Sequence, residues 1–168
     1  FVSSFLELNV RTYVTRDGKP GIWFFSLDAS NTLVVLGARV ALGLPYFRAR
    51  MQLQEEHAGI QFTSIRTHPG APAARFEGTW ARGEPLPLPP PDSLEFFLVE
   101  RYCLYTVHGR RLYRVRIFHR PWPLRRVERL SFTSTMLESQ GLPTSAEDPL
   151  RHAQGEPLPV GIWPPKRL

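Results

Sequence analysis

Polar and apolar residues alternate through residues 7–14, which places Glu7, Asn9, Arg11 and Tyr13 on one face of a strand and Leu8, Val10, Thr12 and Val14 on the other. Asp17-Gly18 and Pro20-Gly21 then carry the signal of a tight connection, and 21–28 reads as the returning strand of a hairpin. There Trp23, Phe25 and Leu27 alternate with Ile22, Phe24, Ser26 and Asp28, so this strand is expected to be buried on both faces. The next run changes period. Over 32–44 the only charge is Arg39; Ser30 or Asn31 is placed to cap a helix, and Gly43 with Pro45 to stop it. A helix apolar on every side is expected to be buried, and a buried Arg39 needs a buried acceptor.

Beyond the helix, 46–53, 59–66 and 74–82 read as three strands of a meander. Prolines crowd 83–91, and a residue without an amide donor cannot sit in a central ladder, so this stretch is expected to run extended over the surface. Asp92 and Glu95 form a capping-box variant that opens a short helix to about Leu98. A hairpin follows, with strands at 100–107 and 110–119 across His108-Gly109, then the stiff turn Arg120-Pro-Trp-Pro-Leu124 and a last strand to about Thr135. From Leu142 the chain is a Pro-rich tail, expected to dock through Trp163 or fray. Six to nine strands with one long and one short helix define an α+β, mainly β class in which antiparallel sheets curl round one buried helix.

Length changes this picture little: 168 residues make a single domain, 1–141 as core and 142–168 as tail. Charge matters more. The net charge is +6, and 21 basic residues include only two lysines, Lys19 and Lys166. The arginines are scattered singly among apolar residues, without an RNA-binding signature, zinc-ligand spacing or helix-turn-helix, which disfavours nucleic acid as a partner. No apolar run is long enough to span a membrane and 1–6 lack a basic leader, so a cytoplasmic location is expected. Cys103 is the only cysteine, excluding a disulfide framework. The five histidines, His57, His68, His108, His119 and His152, show no ligand spacing; no metal and no cofactor are expected.

Ala38-Arg-Val-Ala-Leu-Gly-Leu-Pro-Tyr-Phe47 resembles the signature of the acetoacetate decarboxylase-like fold, in which a helix bearing G-R-E-x-x-G-F-P-K-K runs into the strand with the Schiff-base lysine. The arginine, glycine and proline match; Val40, Tyr46 and Phe47 stand where that family has glutamate and two lysines. More of the chain is similar to the uncharacterised YqjF-like branch: Glu7-Leu-Asn-Val-Arg-Thr-Tyr-Val14, Gly21-Ile-Trp-Phe-Phe-Ser-Leu-Asp-Ala29, Ser93-Leu-Glu95, Glu100-Arg-Tyr-Cys-Leu-Tyr-Thr106 and His119-Arg-Pro-Trp-Pro-Leu124. The resemblance implies a conical β-barrel around a pocket, with Glu7 and Arg39 near it. Members of that branch carry more chain ahead of the first strand, so opening strands are expected to be missing from 1–168.

The resemblance also points the polar face of the first strand inward, a choice that alternation leaves open. Glu7, Arg11, Arg39 and Tyr46 are then the candidate catalytic residues, and Asn9, Asp28, Glu100, Tyr105 and His119 candidate ligand contacts. In that arrangement Arg11 holds a carboxylate or enolate, Tyr46 donates to an oxyanion and Glu7 serves as base. The competing reading is that Glu7 and Arg39 only neutralise each other. Tyrosine forms no imine, so Schiff-base decarboxylation is excluded. Three functions stay open: a barrel that binds a small carboxylic or oxo acid, or an apolar ligand; an acid–base enzyme acting by enolisation, hydration or lysine-independent decarboxylation; and a basic interaction protein. Any self-association is expected through the basic, aromatic second half.

Overall fold

A computed structural model describes residues 4–56, 59–144, 153–155, 161–162 and 166–167. His57, His152 and Trp163 lie outside them. Strand β1 (Glu7–Arg16) and strand β2 (Lys19–Ala29) form the first hairpin, paired from Glu7↔Ala29 to Arg16↔Lys19. Asp17 and Gly18 both adopt positive φ, 51° and 70°, as a two-residue turn matching strand twist requires. The register slips once. Val10 opposes Ser26 but Arg11 opposes Phe24, leaving Phe25 as an extra residue in β2. That bulge corrects the strict alternation expected for β2, because Ile22, Phe24 and Leu27 now share one face.

Helix α1 (Thr32–Leu42) carries the chain to β3 (Tyr46–Glu56), which pairs parallel to β2 at Leu27↔Tyr46. The Asn31 side chain caps α1 by accepting from the amides of Leu33 and Val34 at 2.9 and 3.2 Å. Gly43 ends it with φ of 65°, and a β-carbon there would lie 2.8 Å from the Val107 carbonyl, so both backbone twist and crowding demand glycine. The buried central helix is not what forms. Only Val35 is buried, while Leu33 and Val40 are 73% and 76% exposed. An all-round apolar sequence cannot set its own burial: α1 serves as a crossover, and the connection rather than the core is what needed a helix. It is also too short to cross a membrane, as is every other helix among the described residues.

The meander follows as expected: β3, β4 (Gly59–Arg66) and β5 (Arg75–Pro85) pair antiparallel in order. Strand β5 runs into the proline stretch, with Pro85 opposite Arg125 of β8 (Leu124–Ser134), where a residue lacking a donor is tolerated beside a register shift. Helix α2 (Leu94–Val99) is capped by Ser93, not Asp92; the Ser93 hydroxyl accepts from the Phe96 amide at 3.2 Å. Strands β6 (Cys103–His108) and β7 (Arg111–Phe118) form the second hairpin, turning at Gly109-Arg110, one residue later than expected. Short pieces β9 (Ala153–Gly155), β10 (Gly161–Ile162) and β11 (Lys166–Arg167) add to β8 and β7.

Strand β2 is the branch point. Its one edge takes β1; its other is divided, with Ile22 and Trp23 pairing parallel to β6 and Leu27–Ala29 pairing parallel to β3. The path β10-β7-β6-β2-β3-β4-β5-β8-β9 does not return on itself. Among the described residues the sheet is therefore open and mixed, which corrects the closed, wholly antiparallel arrangement expected from sequence. Ile22, Leu27, Leu44, Leu104 and Val115 form the core over one face, with Tyr13, Phe24, Leu42, Tyr46 and Ile117 packed against them.

The reverse face is pinned by charge. Arg66 Nε and Nη2 donate to the two Asp28 carboxylate oxygens, each at 2.7 Å, with both side chains 1% exposed. The guanidinium lies 4.2 Å from the centre of the Phe47 ring. Removing one partner strands a buried charge. Arg66→Ala is expected to cost about 3–5 kcal/mol in urea unfolding, whereas Asp28→Leu combined with Arg66→Met falls well short of the sum of the single losses.

Candidate functional site

Residues directly opposite in an antiparallel pair point to the same side. Asn9 faces Leu27, Arg11 faces Phe24 and Tyr13 faces Ile22, so the polar row of β1 looks to the side of the main core. Leu27 also aligns with Tyr46 across the β2–β3 pair, which brings the Tyr46 ring to that side. Its hydroxyl donates to Glu7 Oε2 at 2.7 Å, and Asn9 Nδ2 donates to Glu7 Oε1 at 3.4 Å. Asn9 and Tyr46, from two strands that do not pair with each other among the described residues, thus both donate to the one Glu7 carboxylate.

The Glu7 side chain keeps contact with water, yet the protein around its carboxylate raises its pKa, against the opposing pull of Tyr46, Asn9 and the Arg11 charge. Burial, followed by the charge and hydrogen bond of Glu7, pushes the Tyr46 phenol upward. Tyr46 is therefore a proton donor and not a ready base. Arg11 Nη2 and the Tyr13 hydroxyl both donate to the Leu98 carbonyl, at 3.0 and 2.7 Å, satisfying an acceptor near the end of α2. One fork of Arg11 is thus spent on α2.

The other candidates go elsewhere. Arg39 is exposed and donates to the Tyr46 carbonyl at 2.8 Å, so it braces the strand bearing the phenol and needs no buried acid. Asp28 lies on the reverse face in its pair with Arg66. Tyr105, also on that face opposite Trp23, donates to the carbonyls of Lys19 and Arg16 at 2.9 and 3.3 Å and covers Gly21, locking the first hairpin. Glu100 and His119 meet in a separate cluster: the Tyr102 hydroxyl and the Trp122 amide both donate to the Glu100 carboxylate. The His119 ring stacks 4.7 Å from Tyr102, with Nδ1 2.7 Å from the Arg120 carbonyl. Burial and Glu100 push the Tyr102 phenol up to about 12.

Cys103 is half-buried, and burial raises its thiol. His68 accepts from the Arg48 amide at 3.2 Å; burial and then Arg39, Arg48 and Arg66 lower its pKa. Among the described residues no three His, Cys, Asp or Glu side chains converge on a metal position. A surface hollow of about 280 Å³ beside Gln54, Ile60, Trp80 and Arg129 contains none of the anticipated residues. Sequence reading missed Arg66, although Asp28 inside an apolar strand signals a hidden cation. It also missed Arg101, described below.

Comparison with known proteins places this geometry in a family. The DUF2071 family of uncharacterized conserved proteins matches residues 1–156. Over 164 residues the chain is 40% identical to the uncharacterized protein YqjF of Bacillus subtilis (strain 168), covering 96% of this chain and 65% of that relative. The chain thus spans just under two thirds of the length of the curated relative it matches.

The Glu7 environment sets a pH dependence. Because the folded state holds the carboxyl proton to higher pH than the unfolded chain does, stability falls as pH rises from the ordinary glutamate range through the raised value. Glu7→Gln, which keeps an acceptor for Tyr46, is expected to gain stability over the parent at pH 7 and to lose that advantage at pH 4. Urea titrations at the two pH values check it.

Proposed function

The chain belongs to the DUF2071 family, and from that premise we propose that it binds a small organic acid on the core side of β1, at Glu7, Asn9, Arg11 and Tyr46. The observation carrying this reading is the Tyr46–Glu7 hydrogen bond, with an exposed guanidinium two turns of the β1 alternation away. Arg11 commits one nitrogen to Leu98 and keeps others for a carboxylate, which a planar guanidinium binds in a forked geometry. The motif resemblance to the acetoacetate decarboxylase-like fold supports this reading, because in it Tyr46, at the start of β3 after the β2-α1-β3 crossover, takes the place of the imine-forming lysine. Lys19, at the hairpin turn opposite Arg16, offers no amine to replace it.

A second reading draws on the raised Glu7 carboxyl. A base whose pKa lies above the usual carboxylate range and whose neighbour is a protonated phenol suits enolisation or hydration, with Glu7 moving the proton and Tyr46 donating to the oxyanion. No step requires an imine.

Thermal-shift measurements with small carboxylic and oxo acids test the first reading: a saturable rise in Tm that is lost in Glu7→Gln and Tyr46→Phe supports it, and a flat response across acids and uncharged analogues sinks it. A response confined to polyanions points instead to the arginine-rich surface as an interaction site. Turnover that disappears in a folded Glu7→Gln selects the enzyme over the receptor. Borohydride with a β-keto acid is expected to trap no covalent adduct.

A further inference from the structure

Arg101 follows the C-cap of α2 and is 9% exposed, yet among the described residues it forms no ion pair. Its Nη1 donates to the Glu100 carbonyl at 3.0 Å, and its Nε is buried without a hydrogen-bond partner among the described residues. The Glu100 carboxylate, the nearest acid in sequence, is occupied by Tyr102 and the Trp122 amide. What surrounds the guanidinium is aromatic: its central carbon lies 4.2 Å from the Phe97 ring centre and 5.8 Å from that of Tyr13. Arg11 stands 5.7 Å from the same Tyr13 ring. Two arginines, one buried and one exposed, therefore lie within 6 Å of the centre of a single tyrosine ring, at 5.8 and 5.7 Å. Ring faces and carbonyls lessen the cost of burying Arg101, but the described residues leave its charge unmatched and a donor idle.

We propose that Arg101 is the inner seat of an oxyanion, a carboxylate or phosphate group, that sits beside Tyr13 and is met on its outer side by Arg11. The site completes the unfilled Nε donor and pairs the buried charge. It rests on the reading of the β1 polar face as an acid receptor, since Arg11 belongs to both, and it names the group that holds the anion. Glu7 and Tyr46 then handle the remainder of the ligand.

The test compares Tm in sodium phosphate, sodium acetate and sodium chloride at matched ionic strength, for the parent chain and for Arg101→Met. Phosphate stabilises proteins generally by exclusion, so the variant measures that background. The parent is expected to rise by about 3 °C more than the variant in whichever anion fits, phosphate or acetate, and that choice separates the two ligand sources. Without anion, Arg101→Met is expected to melt at or above the parent, because an unmatched buried charge has been replaced by an apolar chain of similar length. Equal responses in both proteins overturn the proposal; if Glu7→Gln nevertheless abolishes an organic-acid response, the receptor reading survives without it. Should Arg101→Met fail to fold, isothermal titration of sodium phosphate and of sodium acetate into the parent and into Arg11→Gln decides: a saturable one-site isotherm with either anion, weakened about tenfold in the variant, supports the site, and no heat from either anion in the parent overturns it.

Discussion

The paired hydrogen bonds between Asp28 and Arg66 are the constraint on which the described architecture turns. Strand β2 has three strand partners, and its divided edge carries only short pairings, two residues with β6 and three with β3. The ion pair spans β2 and β4 across β3, whose Phe47 supplies the ring beneath the guanidinium. The remaining Arg66 nitrogen reaches the Pro72 carbonyl at 3.3 Å and the Ser139 hydroxyl at 3.5 Å. One side chain thus gathers two strands, a loop and the short 3-10 turn at Glu138–Gln140. Such a pair adds little net stability over an apolar replacement, but it admits one register, because a fork of donors meets two oxygens in a single geometry.

With that register set, the sheet has two chemically distinct faces. Asp28, Arg66 and Tyr105 serve structure on one. Glu7, Asn9, Arg11 and Tyr46 gather on the other beside the apolar core, where the surrounding protein raises the Glu7 carboxyl while water still reaches it. The bulge at Phe25 sets what that row faces: with the extra residue in β2, Phe24 and Ile22 lie opposite Arg11 and Tyr13, on the same face as the Leu27 that lies opposite Asn9. A one-residue irregularity in β2 thus keeps apolar core residues opposite the whole polar row of β1.

Helix α1 shows how composition misleads. Its eleven residues carry a single charge, which reads as burial, yet half of its apolar side chains are exposed, only Val35 is buried, and Arg39 reaches solvent. The true buried cations, Arg66 and Arg101, sit in strand and post-helix positions where an arginine draws no notice in a chain rich in arginine. Hydrophobic periodicity reports what a segment can cover, not whether a neighbour arrives to be covered.

Local rules determined much by themselves. Alternation and turn chemistry located every strand from β1 to β8 within a few residues, because a two-residue turn at Asp17-Gly18 or a cap at Asn31 depends only on adjacent backbone. The family was equally legible, since the YqjF-like blocks need only the aligned sequence. Which residues share a site was not. Tyr46 meets Glu7 across 39 positions, Arg66 meets Asp28 across 38 and Tyr13 meets Leu98 across 85. Those meetings follow from the parallel return of β3 and β6 to the divided edge of β2, a choice made by the folded whole and written in no single stretch of chain.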